Sequence, residues 1–261
     1  MPEVLLKGGP VEYLRIEGDP DLPVLVLLHE GLGCAARWRR FPAQLARTTG
    51  RTVVTFSRHG YGGSWPFDGP FPVSYLHDQA RGPLLEFLDA LGLTSPVLVG
   101  HSDGASIALV HAAEQPVSGL VLMAPHVIVE PRTLEGIRAT AEEFATGGLA
   151  ARLAVFHDDP ATVFERWSTV WLSEGFRDWS VTELLPQVDC PVLLVQGEDD
   201  PYGTRHQLDT VVEGVSGPVR RLDLPDCGHE PHRERATEVL AAIVEMLPSW
   251  GSAQRHGGVD R

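Results

Sequence analysis

The chain has 261 residues, 43 % of them hydrophobic and 21 % charged, which is enough for one sizeable buried core and excludes a disordered or fibrous architecture. Its 35 Asp and Glu against 21 Lys and Arg leave a formal charge of −14 at pH 7. Such a field repels phosphate backbones and anionic lipid, so a small-molecule substrate is expected as partner rather than nucleic acid or a membrane. No apolar stretch approaches the roughly 20 residues of a bilayer span, and MPEVLLKGGP has no basic segment leading into an apolar run, so a cytoplasmic protein is expected. Cys34, Cys190 and Cys227 are odd in number and scattered, which fits free thiols rather than disulfides or paired metal ligands.

In chain order, Val11 to Ile16 (VEYLRI) alternates weakly, and Pro23 to His29 (PVLVLLH) is a continuous apolar run too short for a typical helix, as a buried strand requires. EGLGC then opens a segment with helical spacing from Ala35 to Thr49, and the β-branched Arg51 to Ser57 (RTVVTFS) reads as the next strand. A helix is expected over Tyr75 to Leu91, then the strand Pro96 to Gly100, a helix after Ser102, and the strand GLVLMAP ending at Pro125. Later come the strand Pro191 to Gly197, a helix from about Thr204, the strand Val219 to Leu224, and a helix from about Arg233 to Leu247. Parallel strands need crossovers, which helices supply, so the expected fold is α/β with a mainly parallel sheet and helices on both faces.

Between about 127 and 186 the alternation lapses into helical pieces rich in Ala, Glu and Trp, an insertion within a single domain spanning 1–261. Trp167 and Trp171 are four apart and share a helical face, either packing the insertion or covering a pocket as part of the substrate site. The polar, glycine-rich end from about residue 249 is expected to be a disordered tail.

The chemistry concentrates in Gly100-His101-Ser102-Asp103-Gly104, between the apolar strand PVLV and the helical run ASIALVHAA. In so tight a strand-to-helix turn the serine is strained and exposed at the carboxyl end of the sheet, over the free N–H groups of the following helix. A serine hydroxyl is a weak nucleophile and needs a base, and the base needs an orienting carboxylate. His229, in DCGHEP before the last helix, supplies the first, and Asp199 or Asp200, in GEDDPYG after the penultimate strand, the second. All three groups follow strand carboxyl ends, where open α/β sheets bind ligands.

These segments resemble the α/β-hydrolase superfamily of serine hydrolases with a Gly-x-Ser-x-Gly nucleophile elbow, over about residues 10 to 247, with the triad in the order Ser102, Asp200, His229. The resemblance implies Asp200 rather than Asp199, because the family acid stands three residues after the strand-ending glycine, here Gly197. It likens SRHGYGGS, from Ser57 to Ser64, to the family's R-x-G-x-G-x-S turn, and the region after His126 to a helical cap. It places an oxyanion hole at the backbone N–H groups of Asp103 and of Gly31, with Leu32 as the alternative to Gly31. Glu30 departs from the family, which usually has glycine there; either it is a loop residue bonded locally or it belongs to the substrate site with Leu32, His126, Trp167 and Trp171.

The activity implied is hydrolysis of a small carboxylic ester through an acyl-enzyme on Ser102. Carbon–carbon, lactone or amide hydrolysis on the same triad, and a cofactor-independent lyase or oxygenase using His229 as base, are the alternatives. No cofactor is expected. No metal is expected either, since His229 and His232 at i, i+3 in a loop do not complete a site, and Cys34 lacks the elbow of a nucleophile.

Overall fold

The computed structural model describes residues 1–250. In chain order the elements are β1 (Glu3–Leu6), β2 (Gly9–Ile16), β3 (Leu25–Leu28), α1 (Phe41–Thr49), β4 (Val53–Phe56), α2 (Tyr75–Arg81), α3 (Pro83–Ala90), β5 (Val97–His101), α4 (Asp103–Glu114) and β6 (Gly119–Met123). There follow α5 (Pro131–Ala145), α6 (Gly148–Leu153), α7 (Pro160–Leu172), β7 (Val192–Gly197), α8 (Arg205–Gly214), β8 (Val219–Leu224), α9 (Pro231–Glu234) and α10 (Ala236–Met246). One eight-stranded sheet has the order β1-β2-β4-β3-β5-β6-β7-β8. It is parallel from β4 to β8, with β1 and β2 added antiparallel at one edge.

The apolar runs of the central strands are continuous because both faces of the sheet are covered. Leu25, Leu27, Val97, Val99, Leu193 and Val195 pack on one side with Phe41 and Leu45 of α1 and Val239 and Ile243 of α10. Val26, Leu28, Leu98, Val192 and Leu194 point the other way, into a larger core with Leu76 of α2, Leu84 and Phe87 of α3, Ile107 of α4 and Leu208 of α8. This alternation fixes which residues follow each strand at its carboxyl end, and so which groups can meet there.

Several boundaries differ from the sequence expectation. The segment Ala35 to Thr49 divides into a 3-10 turn over Ala35–Trp38 and α1, where Pro42 occupies the first turn. The helix expected over Tyr75 to Leu91 breaks at Gly82, just before Pro83, whose missing N–H suits a helix start rather than an interior. The last helix divides at Arg235 into α9 and α10. Strand β1 was not expected: its four residues EVLL include Leu5, 78 % exposed, so no alternation marks it. Most of the tail expected from residue 249 lies outside the described residues, but Leu247–Trp250 form a 3-10 turn and Trp250 is buried against Gly119.

Helices α5, α6 and α7 constitute the insertion between β6 and β7. Its base is closed by the bridge between Ile128 and Ser180 and by the Val181 N–H donating to the Val127 carbonyl at 2.9 Å. The turn from β5 into α4 is held from the opposite direction, because a Cβ on Gly104 would be driven into the Leu28 carbonyl at the end of β3. Gly104→Ala is therefore expected to cost about 2 kcal/mol or more, read as a lower urea midpoint at unchanged slope.

Candidate active site

Ser102 links β5 to α4 with φ 52° and ψ −119°, a left-handed conformation that a side chain ordinarily avoids. Its N–H donates to the Met123 carbonyl of β6 at 2.9 Å, and its carbonyl accepts from Ala105 and Ser106 as the first bonds of α4. The hydroxyl consequently stands above the N-terminus of a 12-residue helix that begins at Asp103, whose N–H has no acceptor within that helix.

His229 lies in the loop between β8 and α9, and its Nδ1 donates to Asp200 Oδ1 at 2.9 Å and Oδ2 at 2.8 Å. Asp200, 1 % exposed, also accepts from Gln196 Nε2 at 2.6 Å and from the Tyr202 N–H at 2.8 Å. Asp199, by contrast, is an exposed turn residue. The structure thus pairs His229 with Asp200, and with Nδ1 committed as donor, Nε2 is the nitrogen left to accept a proton. Burial opposes the charge on each partner, but their mutual attraction prevails, so the His229 pKa is raised above its ordinary value and that of Asp200 is lowered.

Behind the histidine, His101 is fully buried, and its Nε2 donates to the His229 carbonyl at 2.6 Å. The other nitrogen, Nδ1, is 3.7 Å from Glu30 Oε2. Glu30 lies on the loop after β3, and Arg37 Nε sits 2.8 Å from its Oε1 while Arg37 Nη2 reaches Glu230 Oε1 at 3.1 Å. Burial raises the Glu30 pKa but the Arg37 guanidinium overcomes it, holding the carboxyl well below the usual range. Glu30 therefore borders the cavity with its charge already engaged, and Arg37 joins the loop after β3 to the His229 loop through Glu30 and Glu230.

The floor is a second network that sequence spacing does not reveal. The Tyr75 hydroxyl donates to Asp103 Oδ2 at 2.7 Å and accepts from Trp171 Nε1 at 2.7 Å, while Arg58 Nη2 lies 4.0 Å from the same carboxylate. Arg58 also donates to the Glu30 carbonyl at 2.9 Å. His29 is neutral here: burial, then the Arg58 charge, depress its pKa well below its ordinary value. Its Nδ1 donates to the Glu30 carbonyl at 2.7 Å and its Nε2 accepts from the Arg58 N–H. His157 of the insertion bridges two loops, with Nδ1 accepting from the Gly62 N–H and Nε2 donating to the Leu32 carbonyl, each at 3.0 Å. These partners lie dozens of residues apart, so no local motif announces them.

A cavity of about 480 Å³ unites the sites. Ser102, Asp103, His229, Glu30, Gly31, Leu32, His126, Trp167 and Trp171, all singled out from the sequence, line it. Trp167 rests directly on Gly31, where any Cβ would collide with the indole. Trp171 is buried, and its N–H is committed to Tyr75. His126 is 3 % exposed, its ring makes no hydrogen bond among the described residues, and burial pushes its pKa down to about 4, so it is a neutral imidazole facing the cavity. Tyr202, whose ring centroid is 4.5 Å from that of His229, completes the wall, as does Ile137 of α5. Among the described residues no group of three or more His, Cys, Asp or Glu is arranged to hold a metal ion, and no helix is long and apolar enough to cross a membrane.

The pairing predicts a pH profile. Neutral His229 is the basic form, and Asp200 raises its pKa, so kcat/KM for an ester should rise with pH through a limb above about 6.5, the unperturbed histidine value. Asp200→Asn removes the charge that raises it and is expected to lower kcat about 10⁴-fold, whereas Asp199→Asn is expected to keep both the limb and the rate. Equal losses in the two variants, measured across a pH series, would contradict the pairing.

Comparison with known proteins agrees with the architecture. Mouse (Mus musculus) serine hydrolase BPHL is 29 % identical over 254 residues, covering 94 % of this chain and 85 % of that protein, and the human (Homo sapiens) protein of the same name is 29 % identical over 208 residues, covering 75 % and 69 %. Epoxide hydrolase A of Mycobacterium tuberculosis is 26 % identical, covering 88 % of this chain and 92 % of its own. Among solved structures, the enol-lactonase from Burkholderia xenovorans superposes with a TM-score of 0.70 at 20 % identity, over 95 % of this chain and all of that one. A bacterial membrane phospholipase A reaches 0.79 at 21 % identity, over 95 % and 86 %. The sequence pattern of the alpha/beta hydrolase family matches residues 25–243, from β3 to the body of α10, and the chain belongs to that family.

Proposed function

We propose that the protein is a serine hydrolase that cleaves a small carboxylic ester through an acyl-enzyme on Ser102. The observation that carries this reading is the two-point contact of Asp200 with His229 Nδ1, in a cavity that Ser102 also lines at the helix N-terminus. In this scheme Ser102 Oγ attacks the ester carbonyl as His229 Nε2 takes its proton, and the N–H groups of Asp103 and Gly31 stabilise the oxyanion. The imidazolium then protonates the leaving alcohol. Water, deprotonated in turn by His229, attacks the acyl-enzyme and releases the acid, while Asp200 stays ionised throughout. The apolar walls from Ile137, Leu149, Leu153, Phe156 and Trp167 favour an ester with a hydrocarbon acyl or alcohol part.

The known relatives support a second reading on the same residues. Proteins named enol-lactonase, proline iminopeptidase and putative carbamate hydrolase RutD all resemble this chain, so lactone or amide hydrolysis by the same triad is the runner-up. An acyl-enzyme forms in these cases too. In a lyase or oxygenase that uses His229 only as base, it does not.

A fluorophosphonate is expected to label Ser102 alone, and an activated ester to leave a transient acyl mass on the intact protein. Ser102→Ala and His229→Ala should each lower ester turnover by about 10⁴ to 10⁶. Full activity in Ser102→Ala, or labelling at another residue, would refute the acyl-enzyme. Chromogenic esters of graded acyl length measure the depth of the pocket under the Trp167 and Trp171 face through their relative kcat/KM.

A further inference from the structure

The cavity has two chemically different ends. Ser102 and His126 are buried at the closed end, while Val155, 75 % exposed, Arg152 and Arg39 mark the open one. The apolar side chains of Ile137, Leu149, Leu153 and Phe156 line the same volume. Four arginines line this volume, and three of them are already matched by acids. Arg37 bridges Glu30 and Glu230, Arg152 Nη2 lies 2.6 Å from Glu143 Oε1, and Arg233 Nη1 lies 2.5 Å from Glu230 Oε2.

Arg39 is the exception. Among the described residues no carboxylate pairs with it, and its guanidinium instead lies 5.3 Å from the centroid of the Phe156 ring, which it covers together with Arg37. A planar cation held over an aromatic face keeps its N–H edge free to form a paired contact with a ligand carboxylate. Its backbone is also strained: Arg39 has φ 52° and ψ −114°, close to the conformation of Ser102 itself. Arg39 ends the Ala35–Trp38 turn and lines the cavity.

Resting on the hydrolase reading above, the geometry points to Arg39 as a carboxylate-recognising subsite, so that the preferred substrate is an ester joined through an apolar spacer to a terminal carboxylate. A single guanidinium fork matches one carboxylate. Glu143 and Glu230, both at the rim, oppose the second charge of a phosphate monoester. The overall charge of −14 repels anions at long range, so recognition of an anionic ester here has to come from this local contact and is sensitive to salt.

The test compares mono-4-nitrophenyl suberate with 4-nitrophenyl octanoate, which have the same chain length and differ in the terminal carboxylate. The wild-type protein is expected to favour the suberate by about five- to tenfold in kcat/KM, through KM, with the ratio shrinking as NaCl approaches about 1 M. In Arg39→Gln the ratio falls to about one, and in Arg39→Glu it inverts. A wild-type ratio of one or less, or a ratio unchanged in Arg39→Gln, overturns the proposal while leaving the hydrolase reading intact.

Calorimetry with suberic acid monoamide and octanamide on the Ser102→Ala protein separates the two ideas from the other side. Tighter binding of the acid that is lost in Ser102→Ala with Arg39→Gln supports the subsite even where neither ester turns over, a result that would sink the hydrolase reading alone. Equal binding of the two amides overturns the subsite.

Discussion

The left-handed backbone at Ser102 is the constraint from which the rest of the site follows. A residue at φ 52° is unfavourable unless its surroundings hold it there. They do so through its N–H bond to Met123 of β6, the two α4 amides that cap its carbonyl, and a glycine at 104 that lets α4 press on the end of β3. The strain and the close helix packing are therefore one feature. It lifts the hydroxyl off the sheet and points the unpaired N–H groups of α4 at the same volume, which is what an attack on a carbonyl and its resulting oxyanion both require.

The electrostatics of the cavity are arranged in opposite senses within a few ångströms. His229 and His126 have ring centroids 6.2 Å apart and both are screened from solvent, yet one is shifted up and the other down to about 4. The difference is Asp200, which hydrogen-bonds to His229 and not to His126. Protonated His126 would repel a charged His229, so keeping His126 neutral removes that repulsion. Asp103 illustrates the same economy. It lines the cavity, whereas its carboxylate, whose pKa burial raises, is turned toward Tyr75 and Arg58. That leaves the negative charge at the foot of the cavity partly neutralised.

Much of this was legible in the sequence wherever information is local. The central strands could be read because a sheet covered on both faces demands unbroken apolar runs, and Ser102 because the elbow compresses its requirements into five residues. His229 follows from its place before the last helix. The acid was narrower: Asp199 and Asp200 are adjacent, the family spacing from Gly197 points to Asp200, and the turn geometry agrees, with the Tyr202 N–H and Gln196 converging on it. Arg58, Tyr75 and His157 were out of reach as site residues because their partners are 28 to 125 positions away, and a lone tyrosine or histidine carries no spacing signal. Helix breaks at Pro83 and Arg235 were smoothed over for a related reason, since apolar periodicity persists across a break that only backbone geometry reveals.

Glu30 shows why departure from a family pattern is informative only once contacts are known. A carboxylate where the family usually has glycine looks out of place beside a buried cavity. Here it is matched by Arg37, faces His101, and is joined through both to the segment carrying His229. A glycine at position 30 could provide the backbone but not this linkage. His157 adds a third tie, from the insertion to the Leu32 carbonyl, and Trp171 a fourth, through Tyr75 to the Asp103 carboxylate. The loop after β3, the His229 loop and the wall over them are thus cross-linked by ion pairs and buried hydrogen bonds rather than by the sheet alone. In a site assembled from loops, such bonds hold the reacting groups at fixed separation and limit the reorganisation needed when charge develops.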